Sequence, residues 1–375
     1  MKIKYCRALC ALYGAILIVF STLLFVMPKK NFSPTENRSL RQMPVPSSES
    51  LLDGSFKEGF SSFCADQFPF RNSFLTLSSS FDLCLGKLES NGVMKGKNQN
   101  LIKRLEYNDT SKLKENLAAI EGIKNLAQQN GSKAVFFCAP RAVDVLESYA
   151  PPLFNGGRSD EIWGNLRGAQ TITAFLKSKA DEGEYVFYKT DHHWTTLGAY
   201  YAYCLLGNEL GYQPFELSDF SQEEVCENFY GTTYSSSLFP NTHPDIITAF
   251  RYEGDNKISV TDALTGKVSP LYDYSSLTKS SKYNFFLGGN SAHLKVESQK
   301  PRLVLIKDSF ANSLVPFLAR HYDIDVIDPR YLRTPLSETL EKLYSSEEKP
   351  PMLILFGIDT ITESIGLTDF GQHLP

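Results

Sequence analysis

The chain has 375 residues, of which 42% are hydrophobic and 13% aromatic, and a net charge of −4. Such a composition buries a sizeable core, and a small charge spread without runs argues against a nucleic-acid partner. Of seven cysteines, Cys6 and Cys10 flank or enter the first apolar segment and five remain beyond it, an odd number without a close C-x-x-C pair, which rules out a zinc ribbon and argues against a disulfide-dense scaffold.

In chain order, the first feature is Ala8 to Met27, ALCALYGAILIVFSTLLFVM, which carries no charged side chain. About 20 such residues cross a ~30 Å hydrocarbon core as a helix. Lys2, Lys4 and Arg7 precede it and favour a short cytoplasmic N-terminus over residues 1–7; Lys29 and Lys30 on the far side weaken that preference. A cleaved signal peptide is the alternative, but the run is long for one and no small-x-small site follows it. Residues 8–27 are therefore expected to be a retained single-pass transmembrane anchor. Either reading places residues 30–375 outside the cytoplasm.

Residues 28–50 are rich in Pro and Ser without periodicity and read as a linker. From 51 to 86, Phe56, Phe60, Phe63, Phe70, Phe74, Leu75 and Phe81 recur at helical spacing, which predicts two amphipathic helices broken at Pro69. A further helix is expected over about 111–130, ended by Gly131. Beyond it, short β-branched and aromatic runs alternate with helical patterns. Strands are expected at Lys133–Ala139, Tyr185–Lys189, Arg302–Asp308, Asp323–Ile327 and Met352–Gly357, with helices at about 164–180, 195–210, 309–321 and 336–346. The fold class is thus α/β, a mostly parallel sheet with helices on both faces forming one ectodomain over 51–375. Residues about 212–295, polar and rich in turns and Tyr, read as a small β-rich insertion. No internal repeat is apparent. Cys138, in AVFFCA, reads as a core residue, and a single Cys64–Cys84 bridge stays open.

In open α/β sheets, ligands bind outside the carboxyl ends of strands. Two junctions of this kind carry chemistry. One is VFYK-TDHHW-TTLGAYYAY, with a helix capped by Thr195; the other is RLVLIK-DS-FANSLVPFLARHY. Asp191 is close enough to orient the His193 imidazole, as a general base requires. Ser309 stands at a helix start, where backbone amides favour developing negative charge. Other readings fit the same residues. A Ser at such a junction is commonly an N-cap, and Asp191, His192 and His193, joined by His243, are also residue types that ligate metals.

Several motifs lie in a recognisable order: TENRSL, ADQFPFRNSF, TDHHWTTLGAYYAY, NFYGTTYSSS, YNFFLGGN and LIKDSFANSLVPFL. Together they resemble the DHHW protein family of bacterial envelopes, which is similar to the SGNH hydrolase-like domains of polysaccharide O-acetylation proteins such as those acting on alginate. The resemblance implies an SGNH hydrolase-like fold with Asp191 as orienter, His193 as base and Ser309 as nucleophile. His192 has no counterpart role there, and Lys307 stands where the wider superfamily has Gly. Gly288, Gly289 and Asn290 are candidate amide donors to an oxyanion, and Asp308 and Trp194 adjoin the site. Arg330 and Tyr331 can reach the same crevice, with pairing of Arg330 to Asp328 as the alternative.

The function expected is a cell-envelope acyl-ester enzyme, an O-acetyltransferase or acetylesterase acting on a surface polysaccharide. No cofactor or metal is expected. By analogy, a membrane-bound acyltransferase would supply acyl groups to a transferase. Two alternatives stand beside it: a non-catalytic glycan-binding or assembly protein on the same fold, which Lys307 favours, and a metal-dependent hydrolase using Asp191, His192 or His193.

Overall fold

A computed structural model describes residues 2–33, 38–104, 111–151, 166, 172–345, 347–362 and 367. Two compact units result: Met1–Ser90 with Ser235–Asn241, and Asn91–Tyr234 with Thr242–Pro375.

In the first unit, helix α1 spans Lys2–Val26 and is long and apolar enough to cross a membrane. The stretch expected to be a bare linker holds a two-residue antiparallel pairing of Phe32–Ser33 with Arg38–Ser39 and a short helix, Ser48–Leu52, capped by Ser47. Helices α2 (Ser55–Asp66) and α3 (Arg71–Cys84) follow, separated around Pro69, whose ring bars the preceding residue from helical geometry. Cys64 and Cys84 are both free thiols, so no bridge joins these helices.

The second unit is built on a seven-stranded sheet. Its strands are β1 (Ala134–Ala139), β4 (Ser259–Asp262), β5 (Val268–Pro270), β6 (His293–Glu297), β7 (Arg302–Lys307), β8 (Asp323–Ile327) and β9 (Met352–Gly357); β2 (Ser221–Phe229) and β3 (Asp245–Arg251) form a separate antiparallel pair. The order across the sheet is β5-β4-β6-β8-β7-β9-β1. Strands β8, β7, β9 and β1 run parallel, whereas β6, β4 and β5 add antiparallel at the β8 edge. The sheet is therefore mixed, where a mostly parallel one was expected. The reason lies in the segment read as an insertion, about 212–295. Three of its strands extend the central sheet, and only β2 and β3 pair apart from it.

Alternation along the buried strands directs side chains to two cores. Phe137, Leu303, Leu305, Leu353 and Leu355 face one core, which helices α5 (Thr173–Asp181) and α6 (Thr196–Leu210) help to close. Phe136, Cys138, Val304, Ile306 and Ile354 face the other, closed by α4 (Ser111–Gln129) and α7 (Leu336–Tyr344). Both faces are thus covered, which accounts for the continuous apolar runs that made these strands readable.

Two expected elements differ. Tyr185–Lys189 forms no strand; it makes one isolated bridge, Phe187 to Trp194, as the arm of a tight loop. Instead of a helix over 309–321, a 3₁₀ turn, Ser309–Ser313, leads into a short helix, Val315–Leu318, with Pro316 in its first turn. Proline lacks the N–H that would have joined one continuous helix. Of the helix expected over 164–180, the described part begins at Thr173, and most of the positions before it lie outside the described residues.

Candidate active site

Strand β7 leaves the sheet at Lys307, with β8 on one side and β9 on the other. The chain goes first to β8 and then returns across β7 to β9, so the loop after β7 opens at the point where the connection reverses. Asp308 shapes that loop. One carboxylate oxygen accepts from the Phe310 amide at 2.9 Å; the other accepts from the Gly357 amide at 2.7 Å and from the Thr360 hydroxyl. The carboxylate is turned into the scaffold, and Ser309 is left at the start of the 3₁₀ turn. Among the described residues the Ser309 amide has no hydrogen-bond partner.

The Asp191 loop is held from behind by Asp245 on β3. Its carboxylate accepts from the amides of Lys189 and Thr190 at 2.9 and 2.7 Å, from the Thr190 hydroxyl at 2.6 Å and from the Tyr185 hydroxyl. The loop ends where Thr195 caps α6, its side chain accepting from the Gly198 amide. Between these supports, Asp191 Oδ1 accepts from the His193 amide at 3.0 Å and faces His193 Nδ1 at 2.5 Å. Asp191 Oδ2 accepts from the amide and hydroxyl of Thr232 at 2.8 and 3.1 Å. With Nδ1 donating to Asp191, the other ring nitrogen is free to accept, and His193 Nε2 lies 2.8 Å from Ser309 Oγ. Asp191 and His193, neighbours in one loop, and Ser309, 116 residues beyond His193, thus form one hydrogen-bonded line.

Trp194 fastens the two motifs together. It is fully buried, and its Nε1 donates to the Phe310 carbonyl at 3.0 Å and to Ser313 Oγ at 3.1 Å. Tyr283 stacks on the His193 ring, centroids 4.0 Å apart and planes 9° from parallel, and its hydroxyl lies 3.1 Å from Ser313 Oγ. Gly231 passes so close to the loop that a Cβ there would lie 2.2 Å from Asp191 Cβ. Thr232, Gly231, Tyr283 and Asp245 were not singled out from the sequence. The first three fall inside the quoted segments NFYGTTYSSS and YNFFLGGN, whose spacing alone assigned them no role.

Burial by itself would raise the Asp191 pKa, but the imidazoles of His193 and His192 and the hydrogen bonds it accepts hold it well below the usual carboxylate range. His192 is pushed the other way, down to about 4, by burial and by the neighbouring His193. Its Nδ1 lies 2.7 Å from the Thr232 hydroxyl.

Lys307 is fully buried. Its ammonium donates to the side-chain oxygens of Asn290 and Asn312, each at 2.7 Å, and lies 3.7 Å from Asp328. Burial pushes its pKa down to about 8, against the pull of Asp328. An ammonium can only donate, so Asn290 must turn its oxygen towards Lys307 and its NH₂ away. Asn312 Nδ2 donates to the same Asn290 oxygen at 3.0 Å and reinforces that orientation. Arg330 makes a two-pronged pair with Asp328, at 2.9 and 2.7 Å, as the plainer of the two expectations had it. Tyr331 is half exposed, with the Arg330 guanidinium 5.8 Å from its ring centroid. The Gly288-Gly289 pair has φ of 73° and 101°, a left-handed turn that Gly alone adopts without strain. The Gly289 amide closes that turn onto the Phe286 carbonyl.

Beside His192 a crevice is lined by Lys103, Arg141, Phe310 and Asp359. Among the described residues, one group could hold a metal ion: Asp191, His192 and His193 bring ligand atoms within 4.8 Å of one another, without His243. Both His193 nitrogens already face Asp191 and Ser309, so a metal there competes directly with the hydrogen-bonded line.

Residues 166–327 match the DHHW protein family, and residues 93–232 match the SGNH hydrolase-like domain of the acetyltransferase AlgX. A probable alginate O-acetylase AlgJ from Pseudomonas putida is 26% identical over 160 residues, 40% of this chain and 42% of that protein. The chain spans less than half the length of the curated relatives it matches. Among solved structures, a DHHW family protein from Eubacterium siraeum superposes with a TM-score of 0.58 at 20% identity, covering 76% of this chain and 96% of that one. Bacillus cereus PatB1, solved with a sulfonyl adduct, gives a TM-score of 0.59 at 15% identity over 74% and 98%. Residues 166–327 are thus similar to the DHHW protein family and residues 93–232 to an SGNH hydrolase-like domain, and the fold resembles those of the DHHW family protein and PatB1.

Proposed function

We propose that the chain is a cell-envelope acyl-ester enzyme, an O-acetyltransferase or esterase acting on a surface polysaccharide, with Ser309 as nucleophile, His193 as base and Asp191 as its orienting partner. The observation that carries this reading is the unbroken line from Asp191 through His193 to Ser309 at the carboxyl end of β7. In the first half-reaction Ser309 Oγ attacks the acyl carbonyl while its proton passes to His193 Nε2. Asp191 holds the ring in the tautomer that can accept and stabilises the resulting imidazolium. The C–O bond of the donor then breaks, His193 returns the proton to the departing oxygen, and an acyl-Ser309 ester remains. In the second, a sugar hydroxyl or water gives its proton to His193 as it attacks the ester, and Ser309 is regenerated. The Ser309 amide and the Asn290 NH₂, with Gly288 beside it, supply donors for the oxyanion.

The relatives named as probable alginate O-acetylases support the acetyl class of the chemistry. A surface polysaccharide is the acceptor class, and a membrane-bound acyltransferase is the partner that supplies acyl groups. The purified full chain in detergent should hydrolyse a small aryl acetate. Ser309→Ala, His193→Ala and Asp191→Ala should each lower turnover, on the order of 10⁴-fold for a disabled triad. A sulfonyl fluoride should add one sulfonyl group to Ser309 with loss of fluoride, read by intact mass. Turnover that survives Ser309→Ala would overturn the proposal. The cluster of Asp191, His192 and His193 favours a second reading, a metal-dependent hydrolase, and loss of turnover with a chelator, restored by zinc, would select it. An inactive chain that binds glycan specifically would point to a binding protein.

A further inference from the structure

The first unit carries an apolar surface that the active site does not use. Phe70, Phe74, Leu77, Phe81 and Leu85 recur every three or four residues from the residue before α3 to the one after it, and therefore line one face. Each is between 45% and 64% exposed. The opposite face carries Ser79, which is buried and donates to the Ser237 carbonyl at 2.9 Å within the same unit. The stripe therefore points away from the rest of this unit, and it is longer than the isolated exposed apolar residues that any surface carries.

The neighbouring contacts say what covers it. The ring of Phe68, in the turn between α2 and α3, stacks on Phe20 of α1 with centroids 5.4 Å apart, and Phe74 meets the same ring edge-on at 5.8 Å. Phe20 lies six residues before Val26, the last residue of α1, which is about 9 Å along the helix axis. Both rings thus sit at the depth of the apolar helix rather than beyond its end. Above them is a polar layer. Gln67 exchanges hydrogen bonds with the amide and carbonyl of Lys30, at 3.1 and 2.8 Å, and also donates to the Arg41 carbonyl at 3.1 Å. Lys29 donates to the Met27 carbonyl at 3.0 Å and to that of Leu24, at the negative end of α1. Polar groups at the helix exit, with aromatic rings directly beneath them, are the layering of a membrane interface.

We infer that α3 is a second membrane element, an amphipathic helix that lays Phe70, Phe74, Leu77, Phe81 and Leu85 into the same leaflet from which α1 emerges. The inference rests on α1 spanning the bilayer, and the stripe continues the lipid-facing surface that such a span presents. Apolar faces of this kind bury ~5–10 Å into the boundary between headgroups and acyl chains. The occupant is lipid, because continuity with α1 through Phe20 ties the stripe to the depth of the hydrocarbon.

The test uses the full chain reconstituted in phosphatidylcholine vesicles whose acyl chains are brominated, with single substitutions Phe70→Trp, Phe81→Trp, Leu17→Trp and Asn72→Trp and the emission of the unsubstituted chain subtracted. Trp at 70 and 81 should emit to the blue, lose emission to brominated lipid to the same degree as Trp at 17, and be shielded from aqueous iodide. Trp at 72, on the polar side of α3, should respond to iodide. Iodide quenching at 70 and 81 with lipid quenching kept at 17 would overturn the inference and leave the span intact. Shielding of 70 and 81 from both quenchers would show a protein partner such as a second copy, and would overturn it too. Absence of lipid quenching at 17 would remove the span itself, and the inference with it.

Discussion

Replacing Lys307 by Met tests whether a buried cation orients the donors around Ser309. The wild-type ammonium loses its proton at about pH 8 in the folded chain, against an ordinary value of 10.5. A shift of that size corresponds to roughly 3 kcal/mol at 1.36 kcal/mol per unit. Because the unfolded chain holds this proton more tightly, the charge costs stability below about pH 8, and the cost is relieved as pH rises from 8 towards 10.5. Met removes that cost. It also leaves the Asn312 oxygen without its donor, a loss of about 1–3 kcal/mol, while Asn290 keeps the bond from Asn312 Nδ2. The two effects nearly cancel, so the urea midpoint of Lys307→Met at pH 7 should stay close to wild type. Activity should not. With Lys307 gone, only the Asn312 bond holds the Asn290 oxygen and the NH₂ is presented for part of the time, so kcat should fall on the order of 10–10²-fold, short of the 10²–10³-fold seen when an oxyanion donor is deleted. KM should hold. In the wild type, kcat should decline as pH passes about 8 and the ammonium neutralises, with Asp328, Arg330 and Asp308 as the other charged groups facing it. That alkaline limb should vanish in Lys307→Met, and Asn290→Ala should give a loss that does not add to it. A Met variant with wild-type kcat and an unchanged alkaline limb would refute the reasoning.

Three further outcomes are expected. Gly231→Ala places a methyl against Asp191, so the loop must move; urea unfolding should show a loss of about 1–3 kcal/mol or more, and aryl acetate turnover should disappear with it. The Asp191 carboxyl is held below its unfolded pKa, so its contribution to stability is complete above about pH 4 and is lost as pH falls further. The gap in urea midpoint between wild type and Asp191→Asn should therefore be widest at pH 7 and smaller at pH 3, and equal gaps would count against the hydrogen-bonded site. Tyr283→Phe keeps the ring stacked on His193 and should leave turnover nearly unchanged, whereas Tyr283→Ala frees the imidazole to tilt and should lower kcat by up to about 10²-fold, as misplacement of a reacting group does.

Much of this protein could be read from local pattern. An uncharged run of about 20 residues is long enough, as a helix, to cross a membrane, and α1 takes that helical form. The apolar runs at 134–139, 302–307, 323–327 and 352–357 became strands because residues buried on both faces of a sheet need no alternation. Gly211, with φ of 85°, ends α6, and Thr195 starts it, both through bonds within a few residues. Tyr185–Lys189 had the composition of a strand and became the arm of a loop, because backbone bonds join it to His193 and Thr195 of the same loop and Asp245 takes the amides of Lys189 and Thr190.

The sequence by itself determined an apolar helix long enough to cross a membrane, an α/β succession of elements, and two polar motifs next to elements able to carry them. These properties follow from periodicity, capping and length, which act over a few residues at a time. Only the tertiary structure decided that the 212–295 segment would supply antiparallel strands to the central sheet, that Gly231 would press against Asp191, and that Tyr283 would lie over His193. It also decided that Lys307 would turn inward to orient Asn290 rather than stand in the substrate's path. Each of these is a contact between residues distant in the chain, where the cost of burying a polar group or a missing Cβ is set by what folds against it.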